Sequence, residues 1–398
     1  MRIGIFGGTF NPPHNGHVTI ARAAVTQLGL DKLLIVPACV PPHKPLPSGV
    51  TAGQRYDMAA LMAAPVGRCA EASDMELHRT GKSYTSDTLV QLQQEYPDAE
   101  LWLLMGSDMF LSLHMWHEPE VICRIARIAA FRRVEEDIRA AMERQKQLLE
   151  RQYQAQVTLL ENPELIELSS TDVRAALAEG RGSGLVPAAV WGYIQREHLY
   201  GTATDLKHLT PDALRPIAMS YLKPKRMTHV LGTEATAVKL AKQYGADETE
   251  ARVAALLHDC TKKLDMDQQL ALCRQYGLEL DELEQQALKL LHSRTGAAIA
   301  RDVFGVSDAV YSAIRFHTTG KPHMTLLEKI LYLADYMEPT RDFDGVEHLR
   351  EVVRQDLDRG LLLGLTMTIE EMREMGNPIH HLTLDAQRYL IEQGVKQV

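Results

Sequence analysis

The sequence is poor in cysteine and has no long apolar stretch. Only five of its 398 residues are cysteines, and no two of them have C-x-x-C spacing. This excludes a disulfide framework and a cysteine-rich zinc site, and it favours reduced thiols that pack as small apolar side chains. No apolar run is as long as a membrane span, and the opening MRIGIFGG is typical of a strand rather than of a signal peptide. We therefore expect a cytoplasmic protein that spans no membrane.

Positive charge is also scarce. Lysine and arginine number 43 against 52 aspartates and glutamates, which gives a net charge of −9. This balance excludes broad binding to nucleic acid or to an anionic membrane, so any phosphate site must be built locally from a few cations and backbone amides. The hydrophobic and charged fractions, 45% and 24%, are those of a globular protein, and the length predicts two domains.

The first half of the chain alternates between strand-like and helix-like segments. KLLIVPA (32–38) has the continuous hydrophobicity of a strand that is covered on both faces, whereas GHVTIARAAVTQLG (16–29) has apolar residues at helical spacing. The alternation predicts an α/β, Rossmann-like domain over residues 1–202, with helices on both faces of a parallel sheet. Strands are expected at 2–8, 32–38, 99–108 and 126–133, helices at 51–64, 83–96, 134–156 and 187–198, and a strand followed by a capped helix within 158–180.

The second half has almost no strand character. It follows a polar, turn-rich linker at 203–211 and predicts an all-α domain over residues 212–398. Several helix ends are marked, as where Asp247 and Glu250 have capping-box spacing. Helices are expected at about 211–223, 233–244, 247–263, 265–276, 281–303, 307–316, 325–337, 346–375 and 384–394.

The stretch GGTFNPPHNGH (7–17) joins the first predicted strand to the first helix. Its glycines let a ligand approach the backbone, and a helix N-terminus at the carboxyl end of a strand offers free N–H groups to a phosphate. His14 and His17 can then donate hydrogen bonds to a reacting nucleotide. A metal site is disfavoured because the loop has no third histidine or carboxylate. The remaining alternative is a histidine that only caps the helix.

A second group of histidines lies on or beside different predicted helices of the second half. A single histidine on an apolar helix is usually a core residue, but several of them with an adjacent aspartate favour a metal site. In LLHDC, His258 lies beside Asp259 on a predicted helix, where neighbouring side chains diverge by roughly 100° and can still reach one cation. Imidazole and carboxylate ligands together suit iron, manganese or zinc better than Ca²⁺. The candidate ligands are His229, His258, Asp259, His292, His317 and Asp335.

The loop at 7–17 resembles the HxGH signature of the nucleotidyltransferase superfamily, and LSSTDVR (168–174) resembles the second motif of that superfamily. Over about residues 1–200 the resemblance implies adenylyl transfer from ATP to a mononucleotide phosphate, without a protein nucleophile and with Mg²⁺ on the leaving phosphates. Asn11 departs from the frequent aspartate but keeps the same turn-forming ability. The likeness narrows to bacterial nicotinate mononucleotide adenylyltransferase through VPPHKP (40–45), GKSYTSDTL (81–89), GSDMF (106–110) and Trp116 in LHMWHE.

This resemblance implies a role for each matching residue. His14 and His17 are expected to be catalytic and to contact the transferred and leaving phosphates. Trp116 is expected to stack on the pyridine ring of the substrate, next to Tyr84, while backbone amides near Thr85 hold its carboxylate. The residues expected to bind ATP are Gly7, Gly8, Thr9, Phe10, Lys44, Gly106, Asp108, Ser170 and Arg174.

The order H…HD…H…H…D in the second half resembles the HD-domain metal phosphohydrolases. HDCTKK (258–263), FHTTG (316–320) and LEKILYLADYMEPTRDF (327–343) are similar to the YqeK family over about residues 212–395. This likeness implies two transition-metal ions, with iron expected, and symmetrical hydrolysis of diadenosine tetraphosphate to two ADP. Lys262 and Arg341 are expected phosphate contacts, with ordinary surface charges as the alternative. The likeness implies one metal on His229, His258, Asp259 and Asp335, and a second on His292 and His317, with Asp259 bridging.

Alternatives stay open for each half. Another adenylyltransferase, such as pantetheine-phosphate adenylyltransferase, shares the HxGH loop but has no need of SYT together with Trp116. The HD half has two alternatives, hydrolysis of another nucleotide and nucleotide sensing without turnover, and its complete ligand set disfavours sensing. The expected partners are ATP, nicotinate mononucleotide and diadenosine tetraphosphate, and a homo-oligomer is left open.

Overall fold

The protein forms two compact units, Met1–Ala203 and Thr204–Val398. The boundary between them falls within the predicted linker at 203–211. The structure is a computed structural model, and it describes residues 1–41, 49–79, 81–131, 136–161 and 168–396.

The first unit is built on a parallel sheet. Its strands are β1 (Arg2–Gly8), β2 (Lys32–Pro37), β3 (Ala70–Ala72), β4 (Glu100–Met105), β5 (Ala126–Phe131) and β6 (Val157–Leu160). Their order is β3-β2-β1-β4-β5-β6, so β1 lies inside the sheet and pairs with β2 and β4. Ile3 and Ile5 of β1 are almost fully buried, which explains the continuous apolar character of this strand. The predicted α/β, Rossmann-like class is confirmed.

The helices of the first unit lie between these strands, except for the last two, which follow β6. They are α1 (Asn15–Leu28), α2 (Ala52–Val66), α3 (Thr85–Glu95), α4 (Ser107–Ser112), α5 (Pro119–Ile125), α6 (Glu136–Tyr153), α7 (Ser170–Ala178) and α8 (Ala188–Arg196). The sequence did not predict β3, α4 or α5. Each has three to seven residues, which is too short for a periodic apolar pattern to develop.

Within the described part of the second unit, the regular elements are helices only. The α-helices are α9 (Pro211–Ser220), α10 (Pro224–Tyr244), α11 (Glu248–Leu257), α12 (Met266–Gln275), α13 (Leu288–Phe304), α14 (Asp308–Phe316), α15 (Leu326–Met337), α16 (Val346–Gln355), α17 (Leu357–Glu374) and α18 (His381–Glu392). The helix α15 packs against α10, α11, α14 and α17, and its Leu331 and Leu333 are fully buried. The predicted all-α class of this half is confirmed.

Two predicted helices of this unit have different bounds. The helix predicted at 281–303 begins only at Leu288, and Asp281 and Glu284, which cap each other through N–H bonds of 2.8 and 3.1 Å, belong to a separate turn before it. The helix predicted at 346–375 is two helices. Asp356 has extended backbone between them, and its carboxylate accepts the N–H groups of Asp358 and Arg359.

The helix predicted at 233–244 is longer than expected. It begins at Pro224, whose fixed φ suits the first position of a helix, and it therefore includes His229. None of the described helices combines the length and the apolar character needed to cross a membrane.

Candidate active sites

The first candidate site lies at the carboxyl edge of the sheet. Phe6 of β1 is in register with Leu104 of β4, so Gly7 and Gly8 end their strand beside Gly106, which caps α4. A Cβ atom at Gly7 or Gly106 would have no heavy atom within 4 Å among the described residues. Both backbones therefore face open space, where a ligand has access to them.

The two histidines of the loop lie against each other at the start of α1, with their rings tilted by 35°. His14 is the N-cap residue, and its backbone N–H donates to Nδ1 of His17 over 3.1 Å. The ring centroids are 3.7 Å apart. Because Nδ1 of His17 accepts this bond, the ring proton of neutral His17 is on Nε2, which leaves an N–H to donate to a ligand. The capping alternative is thus compatible with a phosphate contact.

Both histidines are held in the neutral form. Burial lowers the pKa of His14 to about 4, partly offset by the negative charge of Asp172. Burial and the neighbouring His14 lower the pKa of His17 well below its usual value. Phe10 packs against the pair from the protein interior. This residue is 1% exposed, and the centroid of its ring lies 5.2 Å from that of His17. Because its side chain is buried, Phe10 can contact ATP only through its backbone.

The second motif holds the loop in place. Ser170 Oγ donates to the carbonyl of Pro12 over 3.0 Å, and a guanidinium N–H of Arg174 donates to the carbonyl of Asn11 over 2.6 Å. The side chain of Asn11 accepts a further bond, of 2.5 Å, from the hydroxyl of Tyr200. Two residues predicted to bind ATP thus contact the backbone of the histidine loop directly.

Arg55 is a functional candidate that the sequence analysis missed. This arginine of α2 is 1% exposed and donates to the carbonyls of Thr9, Ala38 and Cys39 over 2.6 to 3.0 Å. It therefore ties the loop after β1 to the loop after β2. The only available signal was a charged residue on the apolar face of a predicted helix.

The predicted nicotinate residues lie around His117. The rings of Tyr84 and His117 are stacked with centroids 4.2 Å apart, and Thr85 is the first residue of α3. Trp116 is half-buried at the edge of the core, and its Nε1 donates to Ser112 Oγ over 3.2 Å. His117 was not predicted, although it follows Trp116 directly.

Three other residues were predicted to bind ATP at this site, namely Thr9, Lys44 and Asp108. Asp108 is exposed in the first turn of α4, two residues after Gly106 at the carboxyl edge of the sheet. Thr9 contributes its carbonyl to Arg55. Lys44 lies outside the described residues.

The second candidate site is a cluster of imidazoles and carboxylates in the second unit. His258 Nε2 lies 3.5 Å from Asp259 Oδ2 and 3.7 Å from Asp335 Oδ1, and His229 Nε2 lies 2.9 Å from the same Asp335 oxygen. On the other side of Asp259, Oδ1 lies 3.2 Å from His292 Nε2. That nitrogen is in turn 3.2 Å from His317 Nε2. All six predicted ligands therefore converge. Of the two oxygens of Asp259, Oδ2 faces His258 and Oδ1 faces His292.

The position of His258 and Asp259 differs from the prediction. The helix α11 ends at Leu257, so the pair follows the helix instead of lying within it. The chain continues in tight turns in which Cys260 N–H bonds the carbonyl of Leu257, and Lys262 N–H bonds that of Asp259. The tighter winding places both side chains of the pair in the cluster.

The ring orientations fit a bound metal. His258 Nδ1 is 2.7 Å from the carbonyl of Ala255, and His317 Nδ1 is 2.6 Å from that of Ile314. These bonds put the ring proton on Nδ1. Nε2 then has no proton, and its lone pair is directed toward the cluster, where it can bind a metal. His229 Nε2, His258 Nε2 and Asp259 Oδ1 are buried and lie 2.9 to 3.5 Å from other members of the cluster, but among the described residues none of these contacts has the geometry of a hydrogen bond. A bound cation would satisfy all three atoms.

The electrostatics keep the carboxylates ionised. Burial by itself would raise the pKa of Asp259, but His258, His292 and Lys262 hold it well below its usual range. The pKa of Asp335 is likewise well below its usual range despite burial, because the imidazoles of His229 and His258 lie against it. The pKa of His317 is well below its ordinary value because of burial and the neighbouring His258 and His292. Anionic oxygens and a neutral imidazole are the forms that bind metals.

Three cations surround the carboxylates. Arg226 Nε lies 2.5 Å from Asp259 Oδ2, Arg341 lies 2.9 Å from Asp335 Oδ1, and Lys262 Nζ lies 3.0 Å from His292 Nε2. Lys262 and Arg341 were predicted as phosphate contacts, and the structure places both beside the ligand set. Arg226 was missed, although it lies one helical turn before His229.

Glu338 was also missed. Its carboxylate is fully buried, and Oε1 lies 3.0 Å from His229 Nδ1. Its spacing of three residues from Asp335 was the available signal. Other histidines stay outside the cluster. His323 packs on Tyr389, and His380 Nδ1 accepts the N–H of Leu382 as the cap of α18.

Comparison with known proteins bears on both units. Residues 5–176 match the cytidylyltransferase-like family, and residues 226–340 match the HD domain family. The symmetrical bis(5'-nucleosyl)-tetraphosphatase of Halalkalibacterium halodurans is 40% identical over 177 residues, which are 43% of this chain and 91% of that protein. The "probable nicotinate-nucleotide adenylyltransferase" of Lachnoclostridium phytofermentans is 34% identical over 200 residues, which are 50% of this chain and 98% of that protein.

The structure of a predicted HD superfamily hydrolase involved in NAD metabolism from Clostridium acetobutylicum is among the solved structures that resemble this chain, with 41% sequence identity and a TM-score of 0.45. It covers 46% of this chain and 98% of its own.

The fold and the two sites define a nucleotidyltransferase domain joined to an HD-type hydrolase domain. The chain belongs to the nicotinate-nucleotide adenylyltransferase family through the first domain and to the symmetrical bis(5'-nucleosyl)-tetraphosphatase family through the second. The two resemblances found in the sequence are thereby confirmed.

Proposed function

We propose that the protein is a bifunctional enzyme. Its first unit transfers the adenylyl group of ATP to nicotinate mononucleotide, which gives nicotinate adenine dinucleotide and pyrophosphate. Its second unit hydrolyses diadenosine tetraphosphate with one water to two ADP. The second activity requires transition-metal ions, with iron as the expected metal. The names of the relatives matched by each half support this assignment.

In the first reaction, the phosphate of the mononucleotide attacks the α-phosphorus of ATP while pyrophosphate leaves. The observation that carries this assignment is the close, neutral pair of His14 and His17 beside an open glycine backbone. Nε2–H of His17 donates to a phosphoryl oxygen as negative charge develops there. Ser170 and Arg174 hold the loop and contribute to the ATP site. Tyr84, Thr85 and Trp116 bind the nicotinate part.

In the second reaction, the six convergent ligands hold the metal ions. Metal ions in such sites supply an activated water and offset the charge that develops on phosphorus, as Mg²⁺ does for the leaving phosphates of the first reaction. The observation that carries the assignment is the convergence of buried imidazoles and carboxylates around the two oxygens of Asp259. Lys262 and Arg341 contact the polyphosphate.

Product analysis tests both activities. The protein is incubated with ATP and nicotinate mononucleotide, and separately with diadenosine tetraphosphate and Fe²⁺ or Mn²⁺, and the nucleotides are separated by chromatography. Nicotinate adenine dinucleotide in the first mixture and ADP as the only nucleotide product in the second support the proposal. AMP with ATP as products, or no turnover of the tetraphosphate alongside hydrolysis of another nucleotide, would overturn the assignment of the second unit.

A further inference from the structure

His229 lies between two carboxylates that come from one segment of chain. Asp335, in the last turn of α15, meets Nε2 of the ring at 2.9 Å, and Glu338, which follows the end of that helix, meets Nδ1 at 3.0 Å. Only one of these two nitrogens can bind a metal within the cluster, and it is Nε2. Glu338 therefore contacts the nitrogen that faces away from the metal ligands.

The carboxylate of Glu338 is held rigidly. It is fully buried, and Oε2 accepts the backbone N–H of Thr340 over 2.7 Å while Oε1 accepts the hydroxyl of the same residue. A buried carboxylate with this many donors stays ionised and cannot turn away from the histidine without leaving them unpaired.

Gly232 reserves the space that Glu338 occupies. It follows His229 by three residues and so lies on the same face of α10. A Cβ atom at this position would lie only 2.3 Å from Glu338 Oε2. The absence of a side chain at Gly232 is thus a condition for the contact between Glu338 and His229.

The other two oriented histidines are held differently. His258 and His317 each direct Nδ1 at a neutral backbone carbonyl of the helix that they follow. Among the predicted histidine ligands, His229 is the one whose Nδ1 meets a carboxylate in the described part of the chain. An anionic acceptor increases the donor strength of the opposite nitrogen more than a carbonyl does.

We propose that Glu338, with the space left by Gly232, is a positioning residue for the metal centre. It fixes the Nδ1–H tautomer and the ring orientation of His229 and strengthens Nε2 as a metal ligand, without being a ligand itself. This inference rests on the proposed metal dependence of the second unit.

The test uses the full-length protein and measures binding of Mn²⁺ alone, from the free-ion signal in electron paramagnetic resonance. Glu338→Ala and Gly232→Ala are expected to weaken Mn²⁺ binding by roughly 10- to 100-fold. Glu338→Gln keeps an oxygen that accepts from Nδ1 and is expected to restore part of the affinity. Gly232→Ala leaves every ligand in place, and circular dichroism confirms that each variant is folded.

Glu328→Gln is the matched control. Glu328 is a fully buried carboxylate of α15 that contacts Lys321 and caps its own helix, and a glutamine can serve the same cap. The Glu328→Gln variant should bind Mn²⁺ with the same affinity as the natural chain. Unchanged Mn²⁺ binding in folded Glu338→Ala and Gly232→Ala overturns the positioning role of Glu338 and leaves the metal assignment of the second unit standing. If the natural chain binds no Mn²⁺, the metal assignment of the second unit is wrong, and the positioning role of Glu338 is rejected with it.

Discussion

Arg226 donates from Nε to Oδ2 of Asp259 over 2.5 Å, and this aspartate is the residue whose two oxygens face different members of the ligand cluster. The guanidinium is about a quarter exposed, whereas the carboxylate is fully buried. A metal ion at Asp259 therefore competes with Arg226 for the same oxygen. A guanidinium released from that oxygen lies beside the cluster, where it suits the phosphates of a substrate.

Replacing Arg226 should separate metal binding from turnover. Arg226→Gln removes a competing cation and is expected to tighten Mn²⁺ binding about fivefold, the equivalent of about 1 kcal/mol for a partly exposed pair. The loss of a charged contact to phosphate should lower kcat/KM for diadenosine tetraphosphate by roughly 10- to 100-fold. Mn²⁺ titration and initial rates check the two effects.

The neighbouring Lys225 supplies the control for this experiment. It is exposed on the same turn of α10, so Lys225→Gln removes the same charge without touching the cluster. Both quantities should stay as in the natural chain. If Arg226→Gln lowers metal affinity and turnover together, Arg226 supports the cluster structurally and does not act on substrate.

Arg55 should be required for the order of two loops at the first site. Arg55→Lys cannot reproduce three bonds to the carbonyls of Thr9, Ala38 and Cys39, and buried carbonyls left unpaired cost about 2–4 kcal/mol in local stability. Amide hydrogen exchange in residues 7–17 and 38–41 should become at least tenfold faster. The exposed Arg68, changed to lysine, should leave exchange in both loops unaltered. Equal exchange in the two variants would contradict the positioning role.

His14 should titrate far below an ordinary histidine. Burial lowers its pKa from 6.5 to about 4, so it is neutral at pH 7. Since the folded chain binds this proton less readily than the unfolded chain, the stability contributed by neutral His14 is complete above pH 6.5 and is lost as the pH falls through about 4. Ring ¹⁵N spectra of histidine-labelled protein, with the signal assigned by its loss in His14→Asn, should show this midpoint. A midpoint near 6.5 would contradict the buried, neutral pair.

The sequence predicts the main elements of the fold because their apolar patterns are long. KLLIVPA is one covered strand, and the second half repeats helical periods with visible caps. The bounds fail where a side chain overrides the pattern. Asp356 has helical neighbours on both sides, yet its carboxylate caps the following helix and interrupts the first.

The candidate sites show a similar division. Histidines and aspartates in a recognisable order identify the cluster because metal chemistry allows few residue types. Glu338 and Arg55 were missed because they act on other residues, a histidine ring in one case and three carbonyls in the other. Glutamates and arginines are common on surfaces, so only their burial and their partners distinguish these two.

One chain should carry two separable activities, and product chromatography on two single variants distinguishes them. His17→Ala should lower the formation of nicotinate adenine dinucleotide by at least about 100-fold and leave hydrolysis of diadenosine tetraphosphate unchanged, because it removes a donor to the reacting phosphate. Asp259→Ala should abolish the hydrolysis and leave adenylyl transfer unchanged. A folded variant of either kind that loses both activities, or neither, would contradict the account.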